Sequence, residues 1–389
     1  MGRWLRGIRH ARGTSLREVA RLAGISPPYL SQLESGARAL DRHSLIASLA
    51  DALGTSPPEL TKLPVPAPGN GGTDSAIEAV RQALLAVGHH RPGGQVVPVE
   101  ALRARVAATI DAHYRCDQPG EVGATLAVLI RDLHSSIAAG RDTAELLDLA
   151  VLLHTHATAG WLRVVGAAVD LRSQGVLLAR HAAQERDTPT ALGLAVWGGL
   201  HMMITAGTFD LALAELDAVT VPTDTPHASQ LAGMLALSRS LLAAVDSRPG
   251  DVAAPFEHAV ELAERTGEGN AYGMGFGPTT VGLWQMYGQL DVGDYARAVR
   301  VGAGLHPEAY LPPLGQADYW VTYGRALARV RGRRDDAVAA LRRAEEITPY
   351  RLYRDPFATG LIAELIARSR EDPAGREVRE LAHRVGLPR

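Results

Sequence analysis

Apolar residues return at helical spacing from the start of the chain. Leu5 and Ile8 share a face of one segment, Leu16, Val19, Ala20 and Ala23 of a second, Leu30 and Leu33 of a third, and Leu45, Leu49 and Leu53 of a fourth. Steps of three and four residues put each set on one stripe of an α-helix. The polar residues between them punctuate these helices. Ser15 with Glu18 forms a capping box, Ser26 and Asp41 stand where the third and fourth helices should open, and Gly24 and Gly36 close the second and third. Ser56-Pro57-Pro58 starts a short fifth. Five helices are predicted over residues 3–63. The stretch KLPVPAPGNGGTD (62–74) has three prolines and three glycines, a composition that holds no helix. The chain therefore divides into a head (1–63), a Pro/Gly linker (64–74) and a body (75–389).

The body shows no period-2 alternation long enough for a sheet. Helical stripes recur instead over 101–114, 121–138, 143–158, 228–245, 252–265 and 355–369. The segments GTFDLALAEL, PGDVAAPFEHAVELA, VGDYARAVRV and GRRDDAVAALRRAEEITP align on Asp210, Asp251, Asp294 and Asp336, spaced by 41, 43 and 42 residues. Each follows an apolar helix and opens another, which is the signature of stacked helix pairs. The predicted fold class is all-α: a five-helix head and a helical-repeat solenoid.

Charge sharpens the division. The 389 residues carry a net charge of −2, yet residues 1–63 hold +4 and the rest −6. A basic head on an acidic body fits a nucleic-acid partner at the head. The single cysteine, Cys116, excludes a disulfide framework and fits a reducing cytoplasm. Neither a secretory signal nor a membrane-spanning run is read in the sequence. No nucleophile elbow, zinc motif, P-loop or dinucleotide fingerprint survives a check of context, so neither an enzyme nor a cofactor is expected. His154 and His156 lie on different helix faces and make poor joint metal ligands. His89 and His90 read as solvated, and Cys116 as inert.

The segments LRGIR (5–9), SLREVARLAGIS (15–26), YLSQLESGAR (29–38) and SLIASLADALG (44–54) resemble the XRE family of phage repressor and Cro-like helix-turn-helix regulators. The resemblance implies that the helix from Pro27 to Ser35 enters the major groove. Leu30 and Leu33 then turn inward, leaving Pro28, Ser31, Gln32 and Ser35 outward with Tyr29 on the flank. Gln32 is the best base reader, since its amide both donates to and accepts from an adenine edge. Pro27 and Pro28, with Ser26 before them, occupy the first turn, where missing N–H groups cost the helix little but polar readers are lost. Direct readout is therefore thin, and specificity leans on DNA shape and paired half-sites. Arg38 resembles the family's phosphate contact. Thr14 and Ser15, at a helix N-terminus, are further phosphate candidates. Arg9 and Glu34 match a family pair tying the first helix to the third. Regulators of this kind act as homodimers, with pairing assigned to the body.

Gly332, Ala337, Leu341, Ala344 and Pro349 fall at the offsets of the tetratricopeptide (TPR) pattern, and the resemblance covers roughly 190–350 well. An XRE head with a TPR-like body, and the segment FGPTTV, resemble long actinobacterial regulators and the peptide-sensing quorum regulators. That implies a small-molecule or peptide effector in the solenoid. The aromatic-rich inner helices supply its candidate contacts: Trp197, His201, Tyr272, Phe276, Thr280, Trp284, Tyr319, Trp320 and Tyr323. The glycine-rich GMGFGPTTVG lacks the lysine and strand of a phosphate loop and reads as a helix start at Pro278. The alternative reading is a scaffold whose solenoid binds a protein partner, with the head secondary.

Overall fold

The computed structural model describes residues 1–61, 71–369 and 371–387. Among the described residues the regular structure is helical, with one isolated bridge between Gly269 and Phe276. The head is α1 (Gly2–Ala11), α2 (Leu16–Leu22), α3 (Pro27–Ser35), α4 (His43–Leu53) and α5 (Pro57–Thr61). Its caps form as the sequence dictates. The Ser15 and Ser26 hydroxyls accept from the Glu18 and Tyr29 N–H groups, and Gly36 takes a left-handed φ of 79°. Leu5, Val19, Leu30, Leu33 and Leu49 make a dry core. Asp41 does not cap α4; the N-cap is Arg42, and the Asp41 carboxylate leaves the head altogether. Most of the predicted linker lies outside the described residues. Its last positions differ from expectation, because Gly71 to Asp74 form the first turn of helix Gly71–Gly88.

The body is a row of helix pairs. Pro189–Ala206, Pro226–Val245, Pro278–Val292 and Pro313–Leu327 pack side by side as an inner layer, each backed by the shorter helix that follows it. Asp210, Asp251, Asp294 and Asp336 all stand at or near the starts of those outer helices, so the sequence repeat is a structural one. Pro226–Val245 is long and apolar enough to cross a membrane by length and composition, and most of its apolar window is buried inside the fold. The predicted helix over 143–158 is broken: Thr143–Leu152 passes into a π-helical turn, Leu153–Thr158. Such turns commonly accompany functional sites.

The row bends until its ends meet. Helix Pro313–Leu327 packs against Val99–Tyr114, the Arg163 guanidinium lies 3.8 Å from Asp318, and Arg354 donates to the Val165 carbonyl. The result is a ring around a hollow, with the head seated over it. Asp41 accepts from Arg329 at 2.7 Å, Arg329 also reaches Glu364 at 2.8 Å, and Glu364 accepts from the Ala39 N–H at 2.8 Å. The Ser44 N–H donates to Asp291 at 3.3 Å. Phe357, from the body, is buried in the head's own core, edge-on to His43 at 4.7 Å and under the Arg325 guanidinium at 4.4 Å.

Candidate functional site

Two surfaces carry the candidate residues. On the head, Ser15, Ser26, Pro28, Ser31, Gln32 and Arg38 are exposed, while Pro27 and Tyr29 are half-buried. Gln32 stands free on the outer face of α3 because Leu30 and Leu33, on the opposite stripe, are fully buried. Thr14 is less available than expected, since its hydroxyl donates back to the Arg9 carbonyl at 3.3 Å. Arg9 and Glu34 form the predicted pair, with contacts of 2.6 and 2.9 Å.

The second surface is the hollow, about 1960 Å³ in volume. That exceeds the ~300–1,000 Å³ of ordinary ligand pockets. Trp197, His201, Tyr272, Thr280 and Trp284 line it as predicted, although the Thr280 hydroxyl is committed to the Gly275 carbonyl. Four predicted contacts do not reach it. Phe276 is fully buried and packs over Gly233, where an added Cβ would meet its ring at 2.1 Å. Tyr319 donates its hydroxyl to the Gly302 carbonyl at 2.9 Å and stacks on Tyr323. Trp320 meets Tyr319 edge-on within the same apolar layer. Phe276, Tyr319, Trp320 and Tyr323 pack in apolar clusters beside the hollow. Pro278 starts its helix as read, and the Glu268 carboxylate caps that start by accepting from Thr279.

Sequence reasoning missed the polar half of the wall. Arg163, Arg172, Arg351, Tyr114, His156 and Tyr287 all face the hollow. So do His43, Ile46 and Ala47 of α4 and Pro57, Pro58 and Thr61 of α5. The head is thus part of the cavity wall. Tyr272 holds a left-handed φ of 54°, a strained conformation for a side chain of its size.

The π-turn turns its histidines to separate tasks. His154 and His134 approach Nε2 to Nε2 at 2.9 Å, and the His154 Nδ1 lies 3.1 Å from the Thr158 hydroxyl. His156 Nδ1 is 2.8 Å from the Tyr114 hydroxyl. Burial pushes the Tyr114 pKa up, so the phenol keeps its proton. No group of three His, Cys, Asp or Glu among the described residues could hold a metal. Burial pushes the Cys116 thiol up to about 11 and keeps it unreactive.

Burial also lowers the pKa of His113 to about 3 and that of His156 to about 4. The unfolded chain therefore takes up protons near the ordinary histidine value that the fold refuses. Stability is complete above about pH 6.5 and falls as pH drops below it, by up to about 1.4 kcal/mol per unit for each ring, levelling near the folded values. Urea midpoints measured between about pH 7 and about pH 5 should fall steadily; a flat profile would show that these rings are hydrated.

Residues 1–63 match the family model of the helix-turn-helix domain. No curated protein and no solved structure gives a significant match to the chain.

Proposed function

We propose that this chain is a DNA-binding transcription regulator that senses a small effector in its hollow. The helix-turn-helix head supports the first half of this reading, with Gln32 as base reader on α3, and Arg38 and Ser15 as phosphate contacts. The second half rests on a single observation: α4 and α5 contribute six residues to the wall of the hollow while α3 faces outward. An effector touching His43 or Pro57 bears directly on the unit that holds α3. It needs no long relay, only different affinities for two positions of the head. The concave wall, with its aromatic and arginine side chains, favours a small molecule or short peptide over a folded protein partner. We assign the active form as a cytoplasmic homodimer on paired half-sites, paired through the body.

The experiment compares two variants on a duplex selected from random sequence and on bulk DNA. Gln32→Ala weakens the selected site by about 1–3 kcal/mol and leaves bulk DNA nearly unchanged. Arg38→Ala weakens both and lowers the salt slope by about one. Equal losses on both duplexes from Gln32→Ala would remove its base-reading role. A retained small molecule in native mass spectra of the protein, with a changed affinity for the selected site when it is added back, would support the sensor.

A further inference from the structure

The seam where the ring closes is rich in arginine and short of carboxylate. Arg163 and Arg172 both line the hollow there. Arg172 has no carboxylate within ion-pair distance among the described residues, and the nearest one to Arg163 is Asp318 at 3.8 Å. Asp318 is itself held by Arg351, and Asp355 serves both Arg351 and the Ala358 N–H. The other acids of the wall are committed elsewhere, Glu268 to Thr279 and Asp291 to Ser44, or exposed, as Asp170 is. His201 lines the same hollow.

The electrostatics agree with the geometry. Burial and the neighbouring Arg163 together lower the Arg172 pKa to about 10. Desolvation within the hollow, then Arg163 and Arg172, hold His201 below the ordinary histidine value. Two guanidinium groups close enough for Arg163 to disfavour the charge on Arg172 are unfavourable unless something neutralises them. Their planar donors suit a carboxylate or phosphate. Trp197, Tyr272 and Trp284 line the same hollow and offer an apolar bed.

We infer that the hollow takes an amphipathic organic anion, its carboxylate or phosphate between Arg163 and Arg172 and its apolar body against the aromatic wall. This rests on the sensor reading above and names the chemistry of its effector. The anion would also neutralise the seam and tighten ring closure.

Calorimetric titration of the full chain with naphthoate, naphthamide and naphthylmethylammonium tests it. Naphthoate is expected to bind at least about tenfold more tightly than the amide, a difference of about 1.4 kcal/mol, with the cation weakest. Arg172→Gln should bring naphthoate to the level of the amide, and Arg172→Lys should keep the order. Arg163→Gln serves as the second variant. An amide that binds as well as the acid, a preference for the acid surviving in both glutamine variants, or no binding by any of the three overturns the anion site. Affinity for the selected duplex is read in parallel. If naphthoate binds and leaves DNA affinity unchanged, the anion site stands and the sensor reading falls. If acid and amide shift DNA affinity equally, the sensor reading stands and the anion site falls.

Discussion

Arg329→Ala destabilises the chain by about 3–5 kcal/mol, because it leaves two buried carboxylates without their cation. The side chains of Arg329, Asp41 and Glu364 are 4%, 6% and 2% exposed. Burial opposes the charge on Arg329, but Asp41 and Glu364 outweigh it and raise its pKa. Glu364 keeps a second partner in Arg368 at 3.2 Å, which is itself largely in water. Asp41 has no such reserve among the described contacts. A methionine at 329 is expected to do no better, since shape is not what is lost. Neutralising all three positions together, with Asp41→Asn and Glu364→Gln, should recover most of the loss, because the desolvation cost goes with the charges. Urea midpoints of the three variants decide the matter. A loss below about 1 kcal/mol for Arg329→Ala would mean that head and body are not joined through this residue.

Arg9→Ala costs about 3 kcal/mol by the same physics within the head. Arg9 and Glu34 are 9% and 5% exposed, and Arg9 also donates to the Thr14 carbonyl at 3.1 Å. Removing it frees α1 from α3 and strands the Glu34 carboxylate against Leu30 and Leu33. The helix that carries Gln32 then loses its fixed attitude, and affinity for the selected duplex should fall with stability. The two variants differ in what melts. Arg9→Ala should loosen the head ahead of the body, splitting the unfolding curve, whereas Arg329→Ala attacks the joint and exposes both sides of it. Trp4 reports on the head, and Trp161 and Trp284 on the body, so tryptophan fluorescence of single-tryptophan versions separates the two. A single cooperative curve for Arg9→Ala would show that the pair stabilises the whole chain.

The head could be read from the chain because its determinants are local. Ser15, Ser26, Gly36 and the Leu30–Leu33 stripe act within a turn or two of themselves, and the structure returns each where periodicity put it. The repeat could be read for the same reason, since Asp294 caps the helix it begins. Which aromatic residues of the inner layer meet the hollow was legible only in part. Trp284 lines it and Phe276, eight residues earlier, does not. Both are aromatic, and only the closing of the ring separates lining from packing. Arg163 and Arg172 could not be singled out from the other arginines, because their shared place on the wall of the hollow exists only once distant segments meet. Asp41 illustrates the opposite error. It has the residue type of a cap, and its carboxylate is instead taken by an arginine almost three hundred residues away. Long-range charge overrode a local preference worth about 1 kcal/mol.

Phe357 fills out the interior of a unit that belongs to the other end of the chain. Recombination that spliced a foreign reader onto this body, or this reader onto another, would therefore inherit a mismatched plug as well as a new target. Lineages that trade readers must carry the aromatic at 357 and its His43 neighbour along with them, so the natural unit of exchange is larger than the segment that touches DNA.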